Sequence, residues 1–226
     1  MLRRSAETIV RTMSALVVYG TVCVLRWLRL LDWRCQRPPR PPAGATRVIY
    51  ICNHAAWHDI PLLFWALPHP QNVWWFAKAE LLRHWMGWWF ALLPVIPVSR
   101  GTGDTNALRA AIDRVAAGDP LLIFPEGTWD DGRLLRAKTG VIRIACATDA
   151  VIVPLAVTGG QLPLWGNTRV VSAGDPFRVA DLPSYLSDTP CTNQPLDALT
   201  TEAMQHIVAL LPSWYHGYYA AESAAV

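Results

Sequence analysis

From residue 46 to the C-terminus, short apolar runs alternate with helix-like segments, the order that builds an α/β domain. The runs at 47–52, 73–77, 95–98, 121–124, 151–157 and 169–172 predict strands. The segments 60–67, 79–92, 104–117, 139–147 and 197–211 predict helices. "LLIF" at 121–124 shows no alternation, which predicts a central strand covered on both faces. Pairing should stop at Pro125, which has no N–H to donate. The expected fold is α/β, with a mostly parallel central sheet flanked by helices. An N-terminal amphipathic, membrane-associated helix should precede it.

That helix is placed at residues 1–35. On a wheel of about 100° per residue, Arg4, Arg11, Arg26 and Arg29 fall within an arc of about 60°, with Glu7 and Thr8 beside them. Leu2, Ile9, Met13, Leu16, Gly20, Val24, Trp27 and Leu31 gather opposite. Between Arg11 and Arg26 lie 14 uncharged residues. They make about 21 Å of helix, against about 30 Å of hydrocarbon, so the segment fits a membrane surface better than a span. A secretory signal fits poorly, because Arg26, Arg29 and Arg34 follow and no small-residue cleavage site does. The alternative is a helix docked on the domain's own core with its arginines in solvent. Residues 36–45, QRPPRPPAGA, cannot continue a helix and predict a linker to a catalytic domain at 46–226. The stretch 79–93 repeats the theme: Glu80, Arg83 and His84 share one narrow side, opposite Leu81, Trp85, Trp88, Trp89 and Leu92. Core packing accounts for such a face, and lipid contact is the second reading.

Composition sharpens this picture. The chain is 52% hydrophobic and only 16% charged, with 12 Trp, seven of them between Trp57 and Trp89. Disorder is excluded for most of its length. Residues 1–47 carry nine Arg against Glu7 and Asp32, whereas the rest of the chain is net acidic. A basic arm on an acidic body points to an anionic surface as partner. A Trp-laden acidic body argues that this surface is not nucleic acid. The five cysteines are odd in number and form no CxxC pair, which argues against a disulfide scaffold or zinc site. Each is expected as a buried hydrophobe in a reducing compartment. The expected location is the cytoplasmic face of the inner membrane, peripheral or monotopic.

The candidate chemistry sits at predicted strand ends. His54 follows one strand, Arg100 another and Glu126 a third, and ligands of such sheets bind beyond the carboxyl ends of the strands. His54 and Asp59, five apart, would point about 140° away from each other on one helix. They meet only if the chain turns through 55–58 and a helix starts near Asp59, with Pro61 in its first turn. Asp59 could then fix the imidazole tautomer and leave the other ring nitrogen as a base. On this pair alone, a loop histidine beside a helix-capping Asp59 is the commoner arrangement. A zinc site built on His54, His58 and Asp59 lacks a further clustered ligand, so no metal is expected.

Three further stretches change that balance: "FPEGTW" at 124–129, "VIPVSR" at 95–100 and "AKTG" at 137–140. In this order, with Asn53, His54 and Asp59 as an NHx4D block, they resemble the glycerolipid acyltransferase family typified by 1-acyl-glycerol-3-phosphate acyltransferase. Residues 96–100 resemble its Arg-bearing block, 124–128 its FPEGT block and "VIVPLA" at 151–156 its Pro-containing block. The likeness covers roughly 46–160. It implies acyl transfer from acyl-CoA or acyl carrier protein to a lysophospholipid hydroxyl, foremost 1-acyl-glycerol-3-phosphate giving phosphatidic acid. No cofactor is implied beyond that co-substrate, and the bilayer is the implied partner. No GxSxG or Cys-centred motif offers a covalent nucleophile, so direct attack is expected. His54 would be the general base and Asp59 would stabilise the imidazolium. Backbone N–H groups of the Gly127–Thr128 turn are candidate oxyanion donors. Arg100 and Lys138 would hold the acceptor phosphate, and Glu126 its glycerol hydroxyls. Asn53, Arg133 and Arg136 are secondary candidates.

Where the family has Arg after FPEGT, this chain has Trp129. Either Arg133, Arg136 or Lys138 compensates, or the acceptor is another lysophospholipid, an ornithine lipid or a glycolipid. A non-catalytic membrane-surface protein is the rival from another class. It predicts broken blocks, whereas His54, Asp59, Glu126 and Gly127 are all present.

Overall fold

The computed structural model describes residues 2–56, 58–80, 93–99, 104–130, 132–159 and 168–220. Seven strands form one sheet: β1 (Asp32–Arg37), β2 (Val48–Cys52), β3 (Trp74–Lys78), β4 (Val95–Val98), β5 (Leu121–Ile123), β6 (Val151–Thr158) and β7 (Thr168–Ala173). Their order is β1-β7-β6-β2-β5-β3-β4, and every neighbouring pair is parallel except β6 and β7. The expected mostly parallel α/β sheet is what forms. Among the described residues the helices of eight or more residues are α1 (Leu2–Trp27), α2 (Asp59–Ala66), α3 (Thr105–Ala116), α4 (Gly140–Thr148) and α5 (Leu196–Val208). The helix expected at 79–92 lies almost wholly outside the described residues.

The side-chain period of two sorts the core into two layers. Ile49 and Ile51 of β2, Leu121 and Ile123 of β5 and Ile152 of β6 face one side. There they meet Ala107, Ala111 and Val115 of α3, Ile142 and Ala145 of α4, and Leu199, Ala203 and Ile207 of α5. Val48, Tyr50 and Cys52, with Leu122, Val153 and Leu155, face the other side, onto Leu62 and Leu63 of α2 and Val22 of α1. All five residues of β2 and all three of β5 are buried, which is why these strands read as unbroken apolar runs.

The N-terminal region differs from the sequence expectation in two ways. The helix stops at Trp27, and Asp32–Arg37, expected partly as helix and partly as linker, is an edge strand paired in parallel with β7. Arg29 adopts the left-handed conformation, φ 57°. The Leu30 N–H donates to Leu25 O and the Arg29 N–H to Arg26 O, the two bonds of a Schellman closure. A non-glycine residue there costs about 1 kcal/mol, and burial of Leu31 and Trp33 immediately after offsets it. No Gly or Pro marks the stop, so periodicity runs straight through it. The strand buries only Trp33 fully, as a polar edge strand does.

The second difference is the orientation of α1. Arg11 and Arg26 are turned toward the body. Arg11 lies over the Trp74 ring at 5.2 Å, with Arg114 of α3 at 3.8 Å, and Arg26 lies over Trp65 at 4.7 Å. The apolar side, with Ile9, Met13, Leu16, Val17, Val24 and Trp27, is turned outward. Thr8–Trp27 is long and apolar enough to cross a membrane by length and composition, and it is almost entirely unburied.

Two tryptophans near this junction should behave oppositely. Trp33, 2% exposed, fills the second core layer, so Trp33→Ala should cost about 3–5 kcal/mol in urea denaturation of detergent-solubilised protein. Trp27, 81% exposed, should lose less than about 0.5 kcal/mol in the same measurement.

Candidate active site

The strand register brings the candidate residues together. Ile51 of β2 pairs with Ile123 of β5 in a parallel ladder, so residues three further on, His54 and Glu126, emerge level with each other. The His54 N–H donates to Glu126 Oε1 at 2.9 Å. On the other flank Asn53 replaces a ladder rung with its side chain. Its Nδ2 donates to Val157 O at 3.0 Å and its Oδ1 accepts from the Val157 N–H at 2.7 Å. The loop leaving β2 is thus clamped to β5 on one side and β6 on the other before it turns.

Asp59 opens α2 but does not cap it. Its carboxylate turns back over the loop, where Oδ2 accepts from the Ala55 N–H at 2.7 Å and the Ala56 N–H at 2.8 Å. The same oxygen lies 3.0 Å from His54 Nδ1. A carboxylate as partner assigns the proton to Nδ1 and leaves Nε2 with its lone pair. The helix-capping alternative therefore gives way to a loop-binding aspartate. Asp59 is fully buried, and its Oδ1 has no donor.

The imidazole is held in place by aromatic rings. Phe124 stacks on it with centroids 4.0 Å apart and 16° between planes, and Trp129 meets it edge-on at 4.7 Å. His54 is 8% exposed, and among the described residues nothing bonds to Nε2. An oriented imidazole with one nitrogen tied to a carboxylate and the other left with its lone pair can take a proton from a bound hydroxyl.

Glu126 is buried and joins two loops. Besides His54, it accepts from the Leu135 N–H through Oε2 at 2.6 Å. Burial pushes its carboxyl up to about 7, while the two backbone donors pull the other way and Asp59 adds to the rise. Both oxygens are committed to backbone, so the position braces the site. Gly127 has φ 71°, and a Cβ there would lie 3.0 Å from Lys138 Nζ, so glycine lets the lysine close over the turn. The Gly127 N–H donates to Phe124 O at 3.0 Å, which removes it from the free oxyanion donors. Thr128 is exposed beside it. Arg136 is turned away to Asp197 at 3.4 Å, lining a surface pocket with Thr200 and Tyr218. Arg133 is exposed on the same loop. Arg100 lies outside the described residues.

Sequence reasoning missed several participants. His58 is fully buried beside Asp59, and Arg169 is buried on β7. The signal for Arg169 was available: alternation puts it on one face with Val171 and Ala173, both buried. Of the cysteines only Cys52 is buried, the other four being partly exposed, so the expectation of five core thiols is corrected. Among the described residues no three His, Cys, Asp or Glu side chains gather to hold a metal.

Comparison with known proteins gives a concordant result. A profile of the family described as Acyltransferase matches residues 35–158. The chain is 38% identical over 128 residues to a 1-acyl-sn-glycerol-3-phosphate acyltransferase of Cocos nucifera, covering 52% of this chain and 39% of that protein. It is 32% identical over 145 residues to the lyso-ornithine lipid O-acyltransferase of Pseudomonas aeruginosa, covering 59% and 52%. The chain thus spans between about two fifths and one half of these relatives. The crystal structure of a 1-acyl-sn-glycerophosphate acyltransferase from Thermotoga maritima superposes with a TM-score of 0.62 at 20% identity, covering 89% of this chain and 81% of that one. At that identity the likeness establishes the fold.

Glu126 sets a pH signature. Folding favours its protonated form, so its contribution to stability is greatest below the ordinary value of 4.5 and is lost as pH rises through about 7. Glu126→Gln carries a constant cost for the lost acceptor but should remove this slope. The difference between wild type and variant in urea denaturation should shrink between pH 4.5 and 8, by on the order of 2–3 kcal/mol.

Proposed function

The chain belongs to the acyltransferase family, and on that premise we propose that it transfers an acyl group from a thioester to the free hydroxyl of a lysolipid at a membrane surface. The observation that carries this is the His54–Asp59 pair at 3.0 Å, level with the ends of three parallel strands. Nε2 of His54 takes the hydroxyl proton as the oxygen attacks the thioester carbonyl carbon. The carbon–oxygen bond forms, the carbon–sulfur bond breaks, and the imidazolium returns its proton to the departing thiolate. Asp59, an acceptor fixed by two backbone donors, stabilises the imidazolium in between. The Thr128 N–H is the candidate oxyanion donor, since that of Gly127 is engaged.

The acceptor we favour is 1-acyl-glycerol-3-phosphate, the substrate in the name of the Cocos nucifera relative. Lys138 beside Gly127, with Arg100, supplies the cations for its phosphate. One observation supports a second acceptor: Trp129, 43% exposed and edge-on to His54, sets an uncharged wall beside the imidazole. That wall suits a lyso-ornithine lipid, the substrate in the name of the Pseudomonas aeruginosa relative. The outward apolar side of α1 supports seating in a lipid interface. Since Arg11 and Arg26 hold α1 along the body, a peripheral or monotopic arrangement at the cytoplasmic face is the reading it fits, with acyl-CoA or acyl carrier protein as donor.

His54→Ala should lower transfer by about 10²- to 10⁴-fold in a chain that still unfolds cooperatively, measured with labelled acyl thioester and a panel of both acceptors. Residual activity within tenfold of wild type would remove His54 as the base. Met13→Glu with Leu16→Glu, on the outward side of α1, should abolish flotation with anionic liposomes, and undiminished flotation would remove α1 from the interface.

A further inference from the structure

Behind Asp59 lies a cation that the proposed chemistry leaves unused. β7 runs antiparallel to β6, so its first residues, not its last, stand at the sheet edge where β2 releases Asn53 and His54. Val171 pairs with Val157, whose backbone Asn53 clamps, and Arg169 lies two residues further along. Gly159 admits the close approach of the chains here: with φ 115°, its Cβ would come within 2.7 Å of Arg169 Cα. Arg169 points into the layer that contains Val171 and is 1% exposed. Its Nε and Nη2 have no acceptor. Asp59, fully buried, leaves Oδ1 without a donor.

Two complementary orphans therefore share one interior. A buried guanidinium is costly unless an anion compensates it, and the groups that face it can be named. Asp59 and Tyr215 act on Arg169 in the direction that favours its charge, against the larger effect of burial, which disfavours it. His58 is driven toward its neutral form, first by burial and then by Arg169. Asp59 also acts on Glu126 and Cys52, raising both, in each case after the larger effect of burial. Among these groups Asp59 is the anion placed to balance Arg169.

We propose that Arg169 is a positioning residue of the acyl-transfer site, the counter-charge that holds the Asp59 carboxylate directed at His54 Nδ1. It touches no substrate and acts through Asp59. The proposal rests on the acyl-transfer reading for its kinetic consequence, but the charge coupling can be measured without activity. Removing the cation leaves the Asp59 carboxylate without its counter-charge in the interior, so its hold on the imidazole loosens while the acceptor's own contacts stay in place.

The test uses the full chain in detergent with 1-acyl-glycerol-3-phosphate and labelled acyl thioester. Arg169→Met should lower kcat about tenfold or more and leave the acceptor KM within about twofold. Arg169→Lys should restore most of kcat. In urea denaturation, Arg169→Met should destabilise the wild-type chain far more than it destabilises Asp59→Asn, because the second background has no carboxylate to lose. A loss carried by the acceptor KM rather than by kcat, a folded Arg169→Lys as inactive as Asp59→Asn, or additive destabilisation would each overturn the assignment. If Arg169→Met does not fold, the Lys variant and Arg169→Met in the Asp59→Asn background still decide it. Absence of transfer in the wild type would fault the functional reading alone, leaving the double-mutant cycle to judge the coupling.

Discussion

One carboxylate oxygen organises the site. Oδ2 of Asp59 receives the Ala55 and Ala56 N–H groups and faces His54 Nδ1, so the loop leaving β2, the start of α2 and the imidazole are fixed by a single atom. Backbone donors to a charged acceptor are short and strong, and in an interior without water they have no competitor. That is why the chain holds its course from the end of β2 past Ala55 and Ala56. It is also why the ring is oriented before any substrate arrives.

The clamps on either side of this loop come from the sheet. Asn53 borrows a rung from β6 and Glu126 reaches from the end of β5. Two residues that look like candidates for touching substrate thus spend their polar atoms on backbone. Phe124 and Trp129, which carry no charge, are the ones in contact with the imidazole. In a parallel sheet the residues just past the strand ends divide in this way, because backbone leaving the ladder must find partners before side chains are free for ligands.

Most of the scaffold was legible in the chain because it depends on local periodicity. Six of the seven strands lie within about a residue or two of their apolar runs, and the buried β5 declared itself by lacking alternation. What escaped depends on contacts distant in sequence. β1 is polar on its open face and gains its place from β7, some 136 residues later. The end of α1 turns on a left-handed arginine rather than a glycine, and no local rule marks it. The arginine stripe of α1 was visible, but that it would turn inward onto Trp65 and Trp74 depends on rings elsewhere in the fold. His54 and Asp59 were found by spacing and Arg169 was not, since its meaning depends on which end of β7 stands at the site.

The reversal of the last strands has a geometric result at the other end of the chain. β1 is parallel to β7, and both run against the central strands, so Asp32 enters the sheet beside Thr168 on the rim where His54 emerges. The outer helix therefore ends at the altitude of the reaction centre. Had the edge strand run the other way, that helix would finish a strand length lower, about 17–20 Å away. The exposed indole of Trp27 and the largely enclosed imidazole of His54 therefore stand near one level along the strand direction, joined by the same rim of the sheet.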